Sequence, residues 1–252
     1  MSKNLIYMVA IDHYTSQFKS SAYSQYSIPL WEKWCKKNDI DFMVITKHDE
    51  RFDKPIWNKE LVFEKIGDKY EKIGIVDADT IPKWNMPNVF NEYDDEFCGI
   101  VDNSSFYFLY HSINAYGKFF SGMELDTDQY INAGVVFFTN NHKKFFDEML
   151  KFYFNNKEEL DNWNIPNTGR EQTIFNFMLK KLKIKQKYLP PIWNLFAMHK
   201  KDMFTHNYVF ERDNKTPYFL KYGYIWHFTG FPIEDRIRIM KDVHEQLGHL
   251  YE

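Results

Sequence analysis

The run Lys72-Ile73-Gly74-Ile75-Val76-Asp77-Ala78-Asp79-Thr80-Ile81-Pro82 sets two aspartates, one residue apart, at the end of a short apolar segment. Residues 73–76 lack polar alternation and read as a strand buried on both faces, as in the middle of a parallel sheet. Residues i and i+2 of an extended chain point the same way, so Asp77 and Asp79 can project together from the strand's carboxyl end. That edge of an open α/β sheet is where ligands bind. Two neighbouring carboxylates repel unless a proton or a cation lies between them. A hard divalent metal that prefers oxygen is the natural occupant. Asp-x-Asp alone is a common pattern that a solvated surface turn also explains; the buried strand in front of it gives it weight.

The elements around this pair alternate in type. Residues 5–10 form an apolar strand pattern, followed by the polar stretch Ile11-Asp12-His13-Tyr14. Residues 20–37 have apolar positions at helical spacing, with Pro29 predicting a helix start or a kink. A strand is expected at 41–46 and a helix at 57–70, before the central strand. Further strands are expected at 97–101, 131–138, 184–189 and 222–228, and helices at 141–155, 170–181 and 233–247. Residues 158–169 read as a loop, while 102–128 and 192–221 show no usable period. Strand–helix–strand alternation argues for parallel βαβ units. With no repeat or linker, residues 1–252 are expected to form a single domain.

Composition narrows the function classes. With 32 basic against 35 acidic residues the net charge is −3, and no basic stripe interleaves with aromatics, so nucleic acid is not an expected partner. Cys35 and Cys98 are the two cysteines and read as small buried hydrophobes rather than zinc ligands. No apolar run approaches the roughly 18 residues a membrane span needs. The amino terminus Met1-Ser2-Lys3-Asn4 lacks signal-peptide architecture, so a cytoplasmic location is expected. Aromatics are abundant, 24 Phe, 17 Tyr and 7 Trp, and most must be core.

Several pieces then stand in a recognisable order: Ile11-Asp12-His13-Tyr14, Lys59, Asp77-Ala78-Asp79-Thr80, Asn132-Ala133-Gly134-Val135, Glu171-Gln172, and Trp226-His227-Phe228-Thr229-Gly230. The ordered set resembles a glycosyltransferase of the GT-A fold, and within it is most similar to family 8, the glycogenin and bacterial galactosyltransferase group. The resemblance implies an α/β Rossmann-like fold, with a mixed, mostly parallel central sheet flanked by helices. It implies transfer of a hexose from a nucleotide sugar, a UDP-sugar foremost, to a hydroxyl acceptor such as a glycan, with retention of configuration. By the same resemblance Asp77, Asp79 and His227 hold Mn2+ or Mg2+, and Asp12 and Tyr14 receive the nucleobase. Lys59 contacts the sugar or diphosphate, Asn132 bonds the sugar, and Ala78, Ala133, Gly134 and Gly230 complete the donor-binding motifs. Glu171 and Gln172 take the catalytic positions lining the sugar and acceptor pocket.

Two departures stand out. The family has Asp where Glu171 stands, and a Lys-Pro-Trp after the His-Phe-x-Gly, where this chain has Phe231-Pro232-Ile233. Arg236 or Arg238 is left to replace the missing phosphate-binding lysine. A phosphatase of the haloacid dehalogenase type also uses Asp-x-Asp, but on its first strand and with Thr or Val where Ile81 stands here. A sugar-nucleotide pyrophosphorylase needs a Gly-rich phosphate loop, and this chain of 10 glycines has none. A degenerate domain that only binds a glycan or partner is the non-enzymatic alternative.

Overall fold

The structure is a computed structural model that describes residues 2–12, 19–163, 165–200, 203 and 218–251. Its central sheet has six strands in the order β2-β1-β3-β6-β5-β7. These are β1 (Asn4–Val9), β2 (Asp41–Ile45), β3 (Lys72–Asp77), β5 (Phe97–Gly99), β6 (Val135–Thr139) and β7 (Gln186–Tyr188). β1 runs parallel to β2 and β3, and β5 to β7, whereas β6 lies antiparallel to both β3 and β5. The sheet is thus mixed and mainly parallel, as expected.

Side chains alternate between two cores. Ile6, Met8 and Val76 point into one, with Trp31 and Trp34 of α1 (Ser21–Lys37) and Met240 of α8 (Ile233–Leu247). Leu5, Tyr7, Ile73 and Ile75 point into the other, beneath α2 (Val62–Ile66), α4 (Lys143–Asn155) and α6 (Glu171–Lys181). In this second core Phe97, Phe138, Phe145, Phe146 and Phe175 meet ring to ring, which accounts for much of the aromatic surplus. Both cysteines are buried and unbridged. No described helix is long and apolar enough to cross a membrane.

Several elements differ from the sequence expectation. α1 runs through Pro29 instead of starting there. The helix expected at 57–70 is a 3-10 segment, Pro55–Leu61, followed by the short α2. Residues 102–128 contain α3 (Phe106–Gly117), opened by Ser105, whose hydroxyl accepts from the Phe108 amide. The expected loop at 158–169 begins with α5 (Lys157–Asn162). The strand expected at 222–228 resolves into the end of α7 (Tyr218–Tyr222) and the short β8 (Ile225–His227). β8 pairs antiparallel with β4 (Thr80–Pro82) in a separate two-stranded ribbon.

Candidate functional site

β3 ends at Asp77, and the chain turns through Ala78 and Asp79 directly into β4. The β4–β8 register sets Thr80 opposite His227, so this ribbon delivers the imidazole to the aspartate pair. Two clasps hold the turn. The Thr80 hydroxyl donates to the Asp77 carbonyl at 2.7 Å, and the Phe228 amide donates to the Asp79 carbonyl at 2.9 Å. From α1, Ser27 Oγ and Trp31 Nε1 donate to the Thr80 carbonyl at 2.6 and 3.2 Å. The Phe228–Asp79 bond joins residues 149 apart in sequence and locks β8 to the Asp-x-Asp turn.

His227 Nε2 lies 3.3 Å from Asp79 Oδ1 and 3.8 Å from Asp77 Oδ2. That Nε2 is buried and has no hydrogen-bond partner among the described residues. One donor atom from each of the three residues falls within 4.8 Å of the others. Gly134, at the mouth of β6, closes the cradle. A Cβ added there would sit 2.4 Å from His227 Cε1 and 2.6 Å from Asp77 Oδ2, so only glycine leaves room for both side chains. An orphaned imidazole nitrogen between two carboxylates is a donor set that fits a divalent ion.

Two cations flank the set. Lys59, from the 3-10 segment, reaches Asp77 at 3.9 Å and Glu171 at 3.3 Å. Arg236, from α8, places Nη1 3.2 Å from Asp79 Oδ2, while its Nε is buried and without a partner among the described residues. Arg238 instead pairs with Asp235 on the exposed face. Burial pulls the Lys59 ammonium toward neutrality, but Asp77 and then Glu171 outweigh it and keep the lysine charged. Burial raises Asp77 and Glu171 above the usual carboxylate range, against the pull of Lys59. Asp79 is held below that range: burial opposes ionisation, yet the Arg236 guanidinium prevails. With Asp77, Asp79 and Glu171 ionised, these groups and the two cations sum to one negative charge. A bound dication inverts the sign, which suits an anionic ligand.

The site opens into two cavities that share Lys59, Asp77, Glu171 and Thr229. One, of about 260 Å³, is lined by Ile11, Tyr23, Ala78, Asp79 and Arg236. The other, of about 220 Å³, is lined by Asp102, Asn132, Gln172, His227 and Gly230.

Of the residues expected from sequence, Asp77, Asp79, His227, Lys59, Glu171, Gln172, Ala78, Asn132, Gly134 and Gly230 all line these cavities. Ala133 is buried behind them, its carbonyl accepting from Lys59 at 3.4 Å. Asp12 caps α1, accepting from the Ser21 amide at 2.8 Å. Tyr14 lies outside the described residues. Asn132 and Gln172, expected to meet the sugar, spend hydrogen bonds on protein partners. Asn132 Nδ2 donates to Gln172 Oε1 at 3.2 Å, and Gln172 Nε2 donates to Asp102 Oδ2 at 3.2 Å. Sequence reasoning missed Asp102 and Asn194. Asn194 accepts from His227 Nδ1 at 3.0 Å yet lies in a stretch without periodicity.

No family model matches the chain, and no curated protein does. Solved structures do. The chain is similar to a glycosyltransferase involved in glycosylation of the major capsid of PBCV-1, with a TM-score of 0.60 and 11% identity over 95% of this chain and 98% of that one. It is also similar to the bifunctional glycosyltransferase WbbM, with a TM-score of 0.60 and 14% identity over 95% of this chain and 50% of that one. A third similar structure is the galactosyltransferase LgtC in complex with donor and acceptor sugar analogs, at TM-score 0.52, 14% identity, and 94% and 95% coverage. The chain has a GT-A glycosyltransferase fold. In that fold the Asp77–Asp79 turn sits at the carboxyl edge of the sheet, beside both cavities.

Proposed function

We propose that this chain is a metal-dependent glycosyltransferase that moves a hexose from a nucleoside diphosphate sugar, a UDP-sugar foremost, to a hydroxyl acceptor such as a glycan. The observation that carries this reading is the convergence of Asp77, Asp79 and an orphaned His227 Nε2 at the carboxyl edge of a GT-A sheet. A divalent ion held there, manganese or magnesium, would supply Lewis-acid stabilisation of the departing diphosphate. The chain's own residues do the rest. Asp77 and Asp79 would hold the ion, and His227 would add a ligand without further negative charge. Arg236, facing the larger cavity with Nε to spare, stands for the missing lysine as the cation at the diphosphate. Lys59 balances Asp77 and fixes Glu171 at the boundary of the two cavities.

On the acceptor side, Glu171 is tied to Lys59, and Asp102 accepts from Gln172 and Ser104. With both of these carboxylates engaged, the departing phosphate oxygen is the better acceptor for the hydroxyl proton, and this favours retention. The order of the motifs favours family 8 within the fold, with Glu171 and the missing Lys-Pro-Trp as this chain's departures.

Thermal unfolding with UDP, GDP, CMP and dTDP, each with and without manganese, tests the reading. A ligand at about 100 times its dissociation constant adds roughly 2.7 kcal/mol to the native state. Stabilisation by UDP that needs manganese and is absent in Asp79→Asn is the expected result. No shift with any nucleotide at millimolar concentration overturns the donor site and leaves a glycan- or partner-binding domain.

A further inference from the structure

Five side chains form one hydrogen-bonded line from the candidate metal set to the acceptor-side cavity. His227 Nδ1 meets Asn194 Oδ1 at 3.0 Å, and Asn194 Nδ2 meets Asn132 Oδ1 at 3.0 Å. Asn132 Nδ2 meets Gln172 Oε1 at 3.2 Å, and Gln172 Nε2 meets Asp102 Oδ2 at 3.2 Å. Amide oxygens and nitrogens look alike in outline, but two backbone groups remove the ambiguity. The Gly134 N–H, which can only donate, points at Asn132 Oδ1 at 3.1 Å. The Ala133 N–H points at Gln172 Oε1 at 3.0 Å. Both atoms must therefore be oxygens. Asn194 then has to present its nitrogen to Asn132, because the reverse would set two oxygens against each other. Its oxygen is left for His227, and an oxygen there demands an N–H on Nδ1.

We infer that Asn194, held by Asn132, Gln172 and Asp102, is a positioning residue that fixes neutral His227 as the Nδ1–H tautomer, leaving the Nε2 lone pair, which faces Asp77 and Asp79, for a cation that those residues would hold. The inference rests on the reading of Asp77, Asp79 and His227 as a metal set. Every donor in the line points toward Asp102, so the dipoles reinforce one another and end on a carboxylate. The usual partner of a metal-bound imidazole is a carboxylate or carbonyl on its other nitrogen. Here three amides stand between that nitrogen and the carboxylate. The arrangement is buried: Asn194 is 0% exposed, His227 1% and Asp102 3%, so water does not compete for the Nδ1 proton. Amides at this spacing orient the ring and do not shuttle protons. The same line ties the metal ligand to residues lining the acceptor-side cavity, since Asp102, Gln172 and Asn132 all face it.

The tautomer is read directly from long-range proton–nitrogen spectra of the metal-free protein, at a pH where the rings are neutral, with the His227 signal identified by its loss in His227→Gln. Wild type is expected to show a protonated Nδ1 and a bare Nε2. In Asn194→Leu the proton is expected to move to Nε2 in a large share of molecules, and manganese affinity, measured by titration of manganese alone, to fall roughly 10- to 100-fold. Asn194→Ser, which is smaller and also withdraws the acceptor, serves if the leucine variant does not fold. A wild-type ring protonated on Nε2 overturns the inference. So does an Asn194 variant with unchanged tautomer and unchanged manganese affinity. Failure to bind any nucleotide sugar would sink the transferase reading while leaving the tautomer result standing.

Discussion

Gly134 shows how narrow the tolerances at the site are. Its missing Cβ is what allows His227 Cε1 and Asp77 Oδ2 to approach the backbone, and the Asp77 amide donates to the Gly134 carbonyl at 2.7 Å, pinning the two strands there. In Gly134→Ala the new methyl cannot be accommodated by the backbone, so the imidazole and the Asp77 carboxylate must move apart. Overpacking of this kind costs about 1–3 kcal/mol. The expected outcome is a protein that still folds, with a lowered unfolding midpoint, but no longer gains stability from manganese plus UDP. Retention of the full metal-dependent shift in Gly134→Ala would show that the three donors are not the metal set. Arg170, just before Glu171, has φ of 47° and ψ of −121°, a conformation that non-glycine residues rarely adopt. The backbone there turns sharply so that Glu171 enters the site from the first turn of α6 while Gln172 faces Asp102.

At the scale of elements, the β4–β8 ribbon is the device that converts an Asp-x-Asp turn into a three-ligand site. Thr80 is its fulcrum, with the hydroxyl clasping the Asp77 carbonyl and accepting from Trp31 Nε1 at 3.0 Å. Thr80→Val keeps the shape but removes both bonds, leaving the Asp77 carbonyl without that donor. Stability is expected to drop by about 1–3 kcal/mol in chemical denaturation. Manganese affinity should weaken alongside it, because the turn that spaces Asp77 from Asp79 is loosened. If stability falls while affinity is unchanged, the clasp serves folding alone. The strands β1, β3 and β6 were legible in the sequence because burial on both faces writes an unbroken apolar run. β4 was not, since three residues carry no period, and β8 was expected but drawn too long, because Tyr222 and Tyr224 extended its apolar run back into the end of α7. α3 was hidden by its apolar outer face, where Phe106 and Tyr107 are each 73% exposed. For the site, Asp77 and Asp79 were singled out by residue type and the strand before them and His227 by the family resemblance, and the structure brings the three side chains together. Asn194 and Asp102 were not singled out. Each depends on a partner more than 60 residues away, 62 from Asn194 to Asn132 and 70 from Asp102 to Gln172, and no local pattern encodes such a pairing.

Across the whole molecule, the 3-10 segment Pro55–Leu61 sets two neighbouring charged residues to opposite uses. Lys59 faces the site, whereas Glu60 is 1% exposed and neither of its carboxyl oxygens has a hydrogen-bond partner among the described residues. Burial pushes the Glu60 carboxyl up to about 8, against the pull of Lys59. A carboxyl raised in the folded state binds its proton more tightly there than in the unfolded chain. Stability therefore falls as pH climbs from the ordinary glutamate value, 4.5, to about 8, and levels off above that. At pH 7 the difference amounts to about 3 kcal/mol of destabilisation, at 1.36 kcal/mol per pH unit. Glu60→Gln is neutral at every pH and is expected to recover most of it. Unfolding midpoints of the two proteins should nearly coincide near pH 4.5 and diverge steadily to pH 8, with the glutamine variant the more stable. Parallel pH profiles would mean that Glu60 is ionised and solvated in the native protein. The divergence bears on the site as well. Glu60 also helps to hold Lys59 charged, so a Glu60 that stays neutral leaves Asp77 and Glu171 as that lysine's counter-ions. Those two carboxylates then carry the electrostatic balance that a bound dication has to complete.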